Sequence, residues 1–323
     1  MSKAIRIHET GGPEVLRWED VPVGKPGHGE VLLKHTAVGL NFIDIYQRTG
    51  LYPLDLPLTL GMEGAGVIEE IGKGVTGFEV GQRVAYAMQV GSYSEKRVID
   101  TSKLIALPDD IEDLTAGAMM LQGMTAMYLL CRTYEVKTGE TILVNAAAGG
   151  VGLILCQWAN HLGATVIGCV GSEAKAELAR AHGCAHTILY REEDVVKKVR
   201  EITEGKGVPV VYDSVGKDTF DSSIDCLAPF GTMVNYGNAS GPVEPFNPLM
   251  LGNKGSLFFT FQSLTIHCAT RELLEDAANQ LFGVVSSRAV KININQTFSL
   301  SDTAQAHREL ESRETTGSTV LLP

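Results

Sequence analysis

The first 130 residues contain no cysteine, and the six cysteines at 131, 156, 169, 184, 226 and 268 form no CxxC pair. That spacing supplies neither a disulfide framework nor a zinc knuckle, and reads as the reduced thiols of a cytoplasmic protein. Positive charge is scarce: 27 Lys and Arg against 38 Asp and Glu leave a formal charge of −11. Nucleic-acid binding needs a basic footprint, so no nucleic-acid partner is expected. Also missing is any Asp, Glu, Lys or Arg between Thr141 and Ser172, a stretch long enough to suggest a membrane helix. Gly149, Gly150, Gly152, Gly163 and Gly168 interrupt it, and Asn145, Gln157, Asn160 and His161 lie within it. Buried parallel strands and their helices carry the same signature, so the segment is read as core, with no membrane partner. The N-terminal Ala4-Ile5-Arg6-Ile7 reads as a strand, not a signal peptide.

The 323 residues, 44% hydrophobic and 20% charged, suffice for two domains with sizeable cores. Up to about residue 120 the chain is rich in Gly and Pro. Short β-like runs there (Val31–Leu33, Gly66–Ile68, Arg83–Tyr86) alternate with turn signals such as Gly11-Gly12-Pro13 and Pro26-Gly27. From about 139 the rhythm changes. Apolar runs at Thr141–Asn145, Thr165–Val170, Thr187–Tyr190, Pro209–Asp213, Met233–Tyr236 and Leu257–Phe261 are joined in part by helical stretches at Glu173–Ala181 and Glu192–Ile202. Alternating strands and helices predict βαβ units in a doubly wound parallel sheet. Farther on, a helix is expected around Glu272–Phe282, then strands at Ile292–Phe298 and Thr319–Leu322 that return to the first domain.

The strongest local signal is Leu143-Val144-Asn145-Ala146-Ala147-Ala148-Gly149-Gly150-Val151-Gly152, where an apolar strand meets a glycine-rich turn and a helix beginning near Val151. Glycine lets the backbone approach a pyrophosphate, and the helix N-terminus offers N–H groups and a favourable dipole. Gly149, Gly150 and Val151 are the candidates, with Ala147 at the first position of G-x-G-x-x-G. NAD enzymes place an acid at the end of the second strand for the ribose 2′-hydroxyl. Here that strand ends Gly168-Cys169-Val170-Gly171-Ser172, with Lys175 close behind and Tyr190-Arg191 closing the next strand. A cation and a hydroxyl without an acid favour the 2′-phosphate of NADPH, and Glu173 is assigned to its helix N-terminus. His182-Gly183-Cys184-Ala185-His186 has metal-like spacing, but Gly183 is expected to end a helix and turn His186 away.

Taken together, Gly11–Leu16, Asn41-Phe42-Ile43-Asp44, Arg48-Thr49-Gly50-Leu51-Tyr52-Pro53, the Ala146–Gly152 loop, Tyr212-Asp213-Ser214-Val215-Gly216 and Glu311-Ser312-Arg313 carry a resemblance across essentially the whole chain. It resembles the medium-chain dehydrogenase/reductase superfamily, and within it the NADPH:quinone oxidoreductases related to zeta-crystallin. The resemblance implies a GroES-like β-rich barrel domain (1–124 and 265–323) and a Rossmann NADPH-binding domain (125–264), with the cofactor in the cleft between them. Zinc-containing relatives carry G-H-E-x-x-G; here Gly61-Met62-Glu63-Gly64-Ala65-Gly66 puts a thioether, a poor zinc ligand, at the His position. No metal is therefore expected.

By the same resemblance Asn41, Phe42 and Tyr46 lie beside the nicotinamide, and Tyr52 lines the acceptor pocket. Gly150 and Val151 meet the pyrophosphate. Gly171, Ser172, Lys175, Tyr190 and Arg313 surround the 2′-phosphate, and Tyr128, Val215, Gly237, Asn238 and Ser240 match cofactor-contacting positions. Ser263 and Leu264 are carried over too, although Thr260-Phe261-Gln262-Ser263-Leu264 replaces the relatives' Thr-Arg-Pro-x-Leu. Asp44 and Arg48 have the helical i, i+4 spacing that allows them to pair, which favours a structural role.

Without a Lewis acid a simple ketone is a hard substrate, whereas a quinone accepts hydride to give a delocalised phenolate. The expected activity is zinc-independent transfer of reducing equivalents from NADPH to a small-molecule quinone. No catalytic acid–base residue is assigned, and Asn41, Tyr46 and Tyr52 position the substrate. A reductase of activated C=C bonds and a non-catalytic NADPH-binding protein are the competing readings. Relatives are commonly homodimers paired through their Rossmann sheets, and the apolar Leu257–Phe261 run fits that.

Overall fold

The computed structural model describes residues 1–323. The chain forms two compact units: Met1–Met124 with Cys268–Ser286 and Ile292–Pro323, and Thr125–His267 with Ser287–Lys291. Residues 265–267 and 287–291, expected with the first unit, group with the second. The reasons are local. His267 stacks face to face on Tyr128 with ring centroids 4.2 Å apart. Gln157 holds Lys291 by accepting from its N–H at 2.9 Å and donating to its carbonyl at 3.0 Å.

In the first unit the 11-residue strand Glu30–Leu40 is the spine. Glu63–Ile71 runs antiparallel along one side of it. Lys96–Asp100 pairs with its beginning and Ser318–Leu322 with its end. Arg83–Ala87, Ile105–Ala106 and Ile294–Ser299 extend the sheet to seven strands. Register shifts at Leu32/Leu33 and His35/Ala37 bend the spine, as bulges do. A smaller sheet orders Arg17–Val21, Ser2–Ile7 and Leu58–Thr59. The return of the C-terminal strand makes Val320 and Leu321 core residues with no exposure.

The second unit is a six-stranded parallel sheet. Its spatial order is Cys184–Leu189, Thr165–Val170, Thr141–Asn145, Val208–Asp213, Leu227–Asn235, Phe258–Phe261, which is 3-2-1-4-5-6 in chain order. This is the doubly wound dinucleotide-binding order, whose strand sequence reverses direction between the first and fourth strands. The uncharged Thr141–Ser172 stretch resolves into the first strand, the turn, the helix Gly150–His161 and the second strand. The helix expected from Glu192 begins instead at Val195, because the Asp194 carboxylate accepts from Lys197 N at 3.0 Å and caps it. One segment, Asp113–Thr133, is long and apolar enough to span a membrane, and 78% of its apolar window is buried as a core helix.

Candidate active site

At the end of the Thr141–Asn145 strand, Ala146 adopts a left-handed conformation (φ +53°) and the chain turns into the helix Gly150–His161. Gly149 precedes that helix in extended conformation, and no side chain caps it. The first N–H groups of a helix have no intrahelical carbonyl to meet, so this terminus is open to an anion. A Cβ at Gly152 would run into the backbone of Ala146 and Ala147. Ala147 fits the first glycine position because its methyl packs over Gly168 of the next strand, where a Cβ would lie 2.8 Å away.

The other strand ends carry the remaining candidates of this unit. Asp213, with no exposure, closes the fourth strand and builds the following loop. Its Oδ1 accepts from the Val215 and Gly216 N–H groups at 2.7 and 3.0 Å. Its Oδ2 accepts from Asn145 Nδ2, Thr219 Oγ1 and Ser223 Oγ at 2.7–2.8 Å. One carboxylate thus ties the first strand to the loop that holds Val215. In the sequence Asp213 stands within Tyr212–Gly216, and the signal for this role is an acid ending an otherwise apolar strand. Ser240 Oγ donates to the Val215 carbonyl at 2.8 Å and accepts from Asp218 N at 2.9 Å. Gly237 sits so close to Ser214 that a Cβ would lie 2.7 Å from its carbonyl oxygen, and Asn238 follows, buried.

Beyond the second strand, Gly171 underlies Tyr190: a Cβ there would lie 2.8 Å from the phenolic oxygen. Tyr190 is 47% exposed, and the Arg191 guanidinium lies 5.9 Å from its ring centroid. Ser172 stands at the N-cap position of the helix Glu173–Ala181 without a side-chain capping bond, and that helix carries Lys175 in its first turn, half-buried. Glu173 forms an ion pair with Arg180, which turns it along the helix. Gly171, Ser172, Lys175 and Tyr190 are therefore neighbours at adjacent strand ends, whereas Arg313 belongs to the first unit, exposed and at φ +60° after the helix Thr303–Glu311.

After the last strand, Ser263 and the buried Leu264 enter a short helix, Leu264–His267. Gln262 donates to Thr260 Oγ1 at 2.6 Å, and its Oε1 lies 3.0 Å from His267 Nε2. His267 in turn covers one face of the Tyr128 ring. Phe261 remains 49% exposed. The pair that replaces the relatives' Arg-Pro therefore anchors Tyr128 through Gln262. The His182–His186 segment holds no metal-ligand geometry: His182 Nδ1 contacts the Leu178 carbonyl and Gly183 is left-handed at φ +99°.

In the first unit, Asn41 precedes the helix Phe42–Thr49, which ends at left-handed Gly50. Phe42 and Tyr46 sit one turn apart with centroids 6.2 Å apart, and Tyr52 meets Tyr46 edge-on at 5.3 Å. The structure thus gathers Asn41, Phe42, Tyr46 and Tyr52. The Asp44–Arg48 ion pair does not form. Arg48, 1% exposed, instead makes two bonds to Glu311 and a third to His307 Nδ1 at 3.0 Å. Asp44 Oδ2 accepts from Asn41 N and Tyr93 Oη, both at 2.8 Å. Since Arg48 donates to Nδ1 of His307, Nε2 carries that ring's proton and points it at Tyr93. Burial, reinforced by Arg48, holds His307 down to about 3, hence neutral.

Beneath this helix lies Met62, whose sulfur accepts from Gln47 Nε2 at 3.1 Å, with Glu63 next to it, fully buried. Glu63 Oε1 accepts from Asn41 Nδ2 at 2.6 Å and Oε2 from Leu121 N at 2.7 Å. Burial pushes Glu63 up to about 8 against the pull of those donors, and pushes Asp44 up to about 7. Asn41, read from sequence as a ligand contact, thus commits one N–H to Glu63, and its Oδ1 accepts from Gln122 Nε2 at 3.1 Å.

A GroES-like sheet and a 3-2-1-4-5-6 Rossmann sheet in one chain are the parts of a medium-chain dehydrogenase/reductase. The comparisons agree. The family described as "Alcohol dehydrogenase GroES-like domain" matches residues 27–137 and "Zinc-binding dehydrogenase" residues 150–278. A quinone oxidoreductase of Pseudomonas aeruginosa is 53% identical over the full length of both chains. A 2-haloacrylate reductase of a Burkholderia species is 47% identical, covering 100% of this chain and 99% of its own. The Escherichia coli quinone oxidoreductase solved in complex with NADPH superposes with a TM-score of 0.97 at 46% identity, covering 99% of this chain and all of its own. The chain belongs to the quinone oxidoreductase family of the medium-chain dehydrogenase/reductase superfamily.

Proposed function

We propose that this chain is an enzyme that transfers reducing equivalents from NADPH to a small-molecule quinone, without a metal. The observation that carries the reading is the uncapped N-terminus of Gly150–His161 at the end of the first strand, flanked by a second strand end that has Lys175 and no carboxylate at its tip. The residues fit the cofactor. Gly149, Gly150 and Val151 would take the diphosphate; Gly171, Ser172, Lys175, Tyr190 and Arg313 the 2′-phosphate; Tyr128, Val215, Gly237, Asn238, Ser240, Ser263 and Leu264 the adenosine-to-nicotinamide span. When bound, NADPH supplies a hydride from nicotinamide C4. Asn41, Phe42 and Tyr46 orient the nicotinamide end, and Tyr46 and Tyr52 offer an aromatic wall to a flat acceptor. Met62 stands where zinc-containing relatives have a histidine, so a quinone, which needs no Lewis acid, suits the chain better than an alcohol.

The similarity to a 2-haloacrylate reductase supports a second reading, reduction of an activated C=C bond by the same hydride geometry. Steady-state NADPH and NADH oxidation with 1,4-benzoquinone, beside 2-chloroacrylate and an alkenal, with and without chelator, separates the two. Chelator-insensitive, NADPH-preferring quinone turnover is expected. Alkene turnover alone would favour the second reading, and NADPH binding without turnover a non-catalytic role. We also propose a cytoplasmic homodimer. The edge strand Phe258–Phe261 has a neighbour on one side, and Phe258, Phe261 and Phe230 are 59%, 49% and 72% exposed. The six free cysteines suit a reducing compartment.

A further inference from the structure

Four buried side chains form a single line of hydrogen bonds under the Phe42–Thr49 helix. Ser318 Oγ donates to Gln122 Oε1 at 2.8 Å, Gln122 Nε2 to Asn41 Oδ1 at 3.1 Å, and Asn41 Nδ2 to Glu63 Oε1 at 2.6 Å. Leu121 N occupies the other Glu63 oxygen at 2.7 Å, and the glycine at 39 leaves the space in which the carboxylate sits. All four residues are at most 6% exposed. We propose that Glu63 is a positioning residue for the reaction: it sets the direction of this line, and thereby which end of the Asn41 carboxamide faces the nicotinamide. The proposal rests on the reading of Asn41 as a nicotinamide contact.

Donors and acceptors fix the direction of the line. A carboxylate only accepts, so the Asn41 amide nitrogen must face it. Asn41 Oδ1 then faces Gln122 and takes its N–H, which leaves Gln122 Oε1 for the Ser318 hydroxyl. A hydroxyl donates or accepts equally well, so the Ser318 end is indifferent to direction. Only the Glu63 end is polarised. With a neutral donor at position 63 the whole line reverses without orphaning an atom. Asn41 Oδ1 would turn to residue 63, its Nδ2 would donate to Gln122 Oε1, and Gln122 Nε2 to Ser318 Oγ. Within the line Asn41 spends one N–H and one lone pair in either direction, and the amide and carbonyl ends exchange places; in the observed direction the side-chain oxygen also faces the Asp44 N–H in a capping box. A group placed to meet a donor then meets an acceptor.

Protonation of Glu63 makes the same exchange as a neutral side chain, and its position near 8 puts both directions within reach of ordinary buffers. The titratable groups that sense its charge are Asp44, Tyr86 and Tyr93. Both tyrosines are held above their usual range by burial and stay neutral up to pH 9, so Asp44 is the partner whose titration overlaps.

The test is Glu63→Gln, with Ser318→Ala as its counterpart, in the full-length protein. For Glu63→Gln at pH 8.5, kcat/KM for NADPH with 1,4-benzoquinone is expected to fall roughly 10- to 100-fold, the size of one mismatched hydrogen bond. Its Kd for NADPH, read by fluorescence titration, rises in parallel, its melting temperature does not fall, and its pH profile between 6 and 9 is flatter than the wild type's. Ser318→Ala leaves Gln122 Oε1 without a donor, so it loses stability and keeps kcat/KM and Kd. Wild-type kcat/KM and Kd in Glu63→Gln, or losses that track a lowered melting temperature, overturn the proposal. If the wild type binds NADPH but reduces no quinone, the functional reading fails while the Kd ratio still decides the role of Glu63. If it binds no NADPH, both fail.

Discussion

Lys175 sits in the first turn of its helix, next to a strand tip that lacks the acid an NAD enzyme would use. A charge-assisted hydrogen bond to a 2′-phosphate contributes about 1.5–3 kcal/mol, less where water competes. Lys175→Ala should therefore lower the ratio of kcat/KM for NADPH over NADH by about tenfold while leaving NADH turnover unchanged. Arg313→Ala should act in the same direction if its guanidinium shares that phosphate. An unchanged ratio in both variants, measured by steady-state kinetics with either nucleotide, would remove them from the role. Arg48 shows how the same residue type does something else when buried. Four of its five N–H groups go to Glu311, His307 and the Gly11 carbonyl, so this buried side chain ties the C-terminal helix to the Phe42–Thr49 helix and serves the fold, not a ligand. The i, i+4 spacing suggested Asp44 as its partner. A surface helix would have made that pair; here Tyr93 and the Asn41 N–H reach Asp44 first.

The elements that matter most are the phosphate turn and the helix resting on Glu63. A methyl at position 152 meets backbone atoms, which cannot swing aside as a side chain does. Gly152→Ala should weaken NADPH binding at least tenfold by fluorescence titration, with the far-UV circular dichroism of a folded chain retained. Wild-type affinity in that variant would mean that the turn tolerates a shift. The buried carboxyls make a second prediction. Folding raises Glu63 from 4.5 to about 8 and Asp44 from 3.8 to about 7, so the folded chain holds these protons more tightly than the unfolded one. Their stabilising effect is complete at low pH and is lost as pH rises through 7 and 8. His35 and His307, held down to about 3 chiefly by burial, work the other way, but only below their unfolded value of 6.5. Between pH 6.5 and 8.5 the carboxyls act alone, so the melting temperature should fall with rising pH, and less steeply in Glu63→Gln. A melting temperature that rises over that interval would contradict the assignment.

At the scale of the whole molecule, the exposed edge strand makes self-association testable. An unpaired apolar strand is a template for another strand, and Phe258 is 59% exposed on it. Phe258→Glu should convert a dimer to a monomer in sedimentation velocity with little change in melting temperature; a monomeric wild type would end the idea. The parallel sheet was legible because strands buried on both faces read as uninterrupted apolar runs, and Thr165–Val170 and Glu173–Ala181 begin and end where their composition changes. The core helix Asp113–Tyr128 was not legible. Its Ala, Met and Leu residues surround it on all sides, so no stripe of one face betrays a helical period. Nor was the early start of the fifth strand at Leu227, where Pro229 and Gly231 resemble a turn. Sequence alone determined the two folds, the glycine turn, the missing acid beside Lys175 and the methionine at position 62, because each follows from residue type at a fixed place along the chain. Tertiary structure alone decided that Arg48 binds Glu311, that Asp213 takes the Asn145 amide, and that Asn41 leans on Glu63. Those contacts join residues 22 to 263 positions apart or reverse a local preference, and a buried donor takes whatever acceptor the packing brings to it, whatever its distance along the chain.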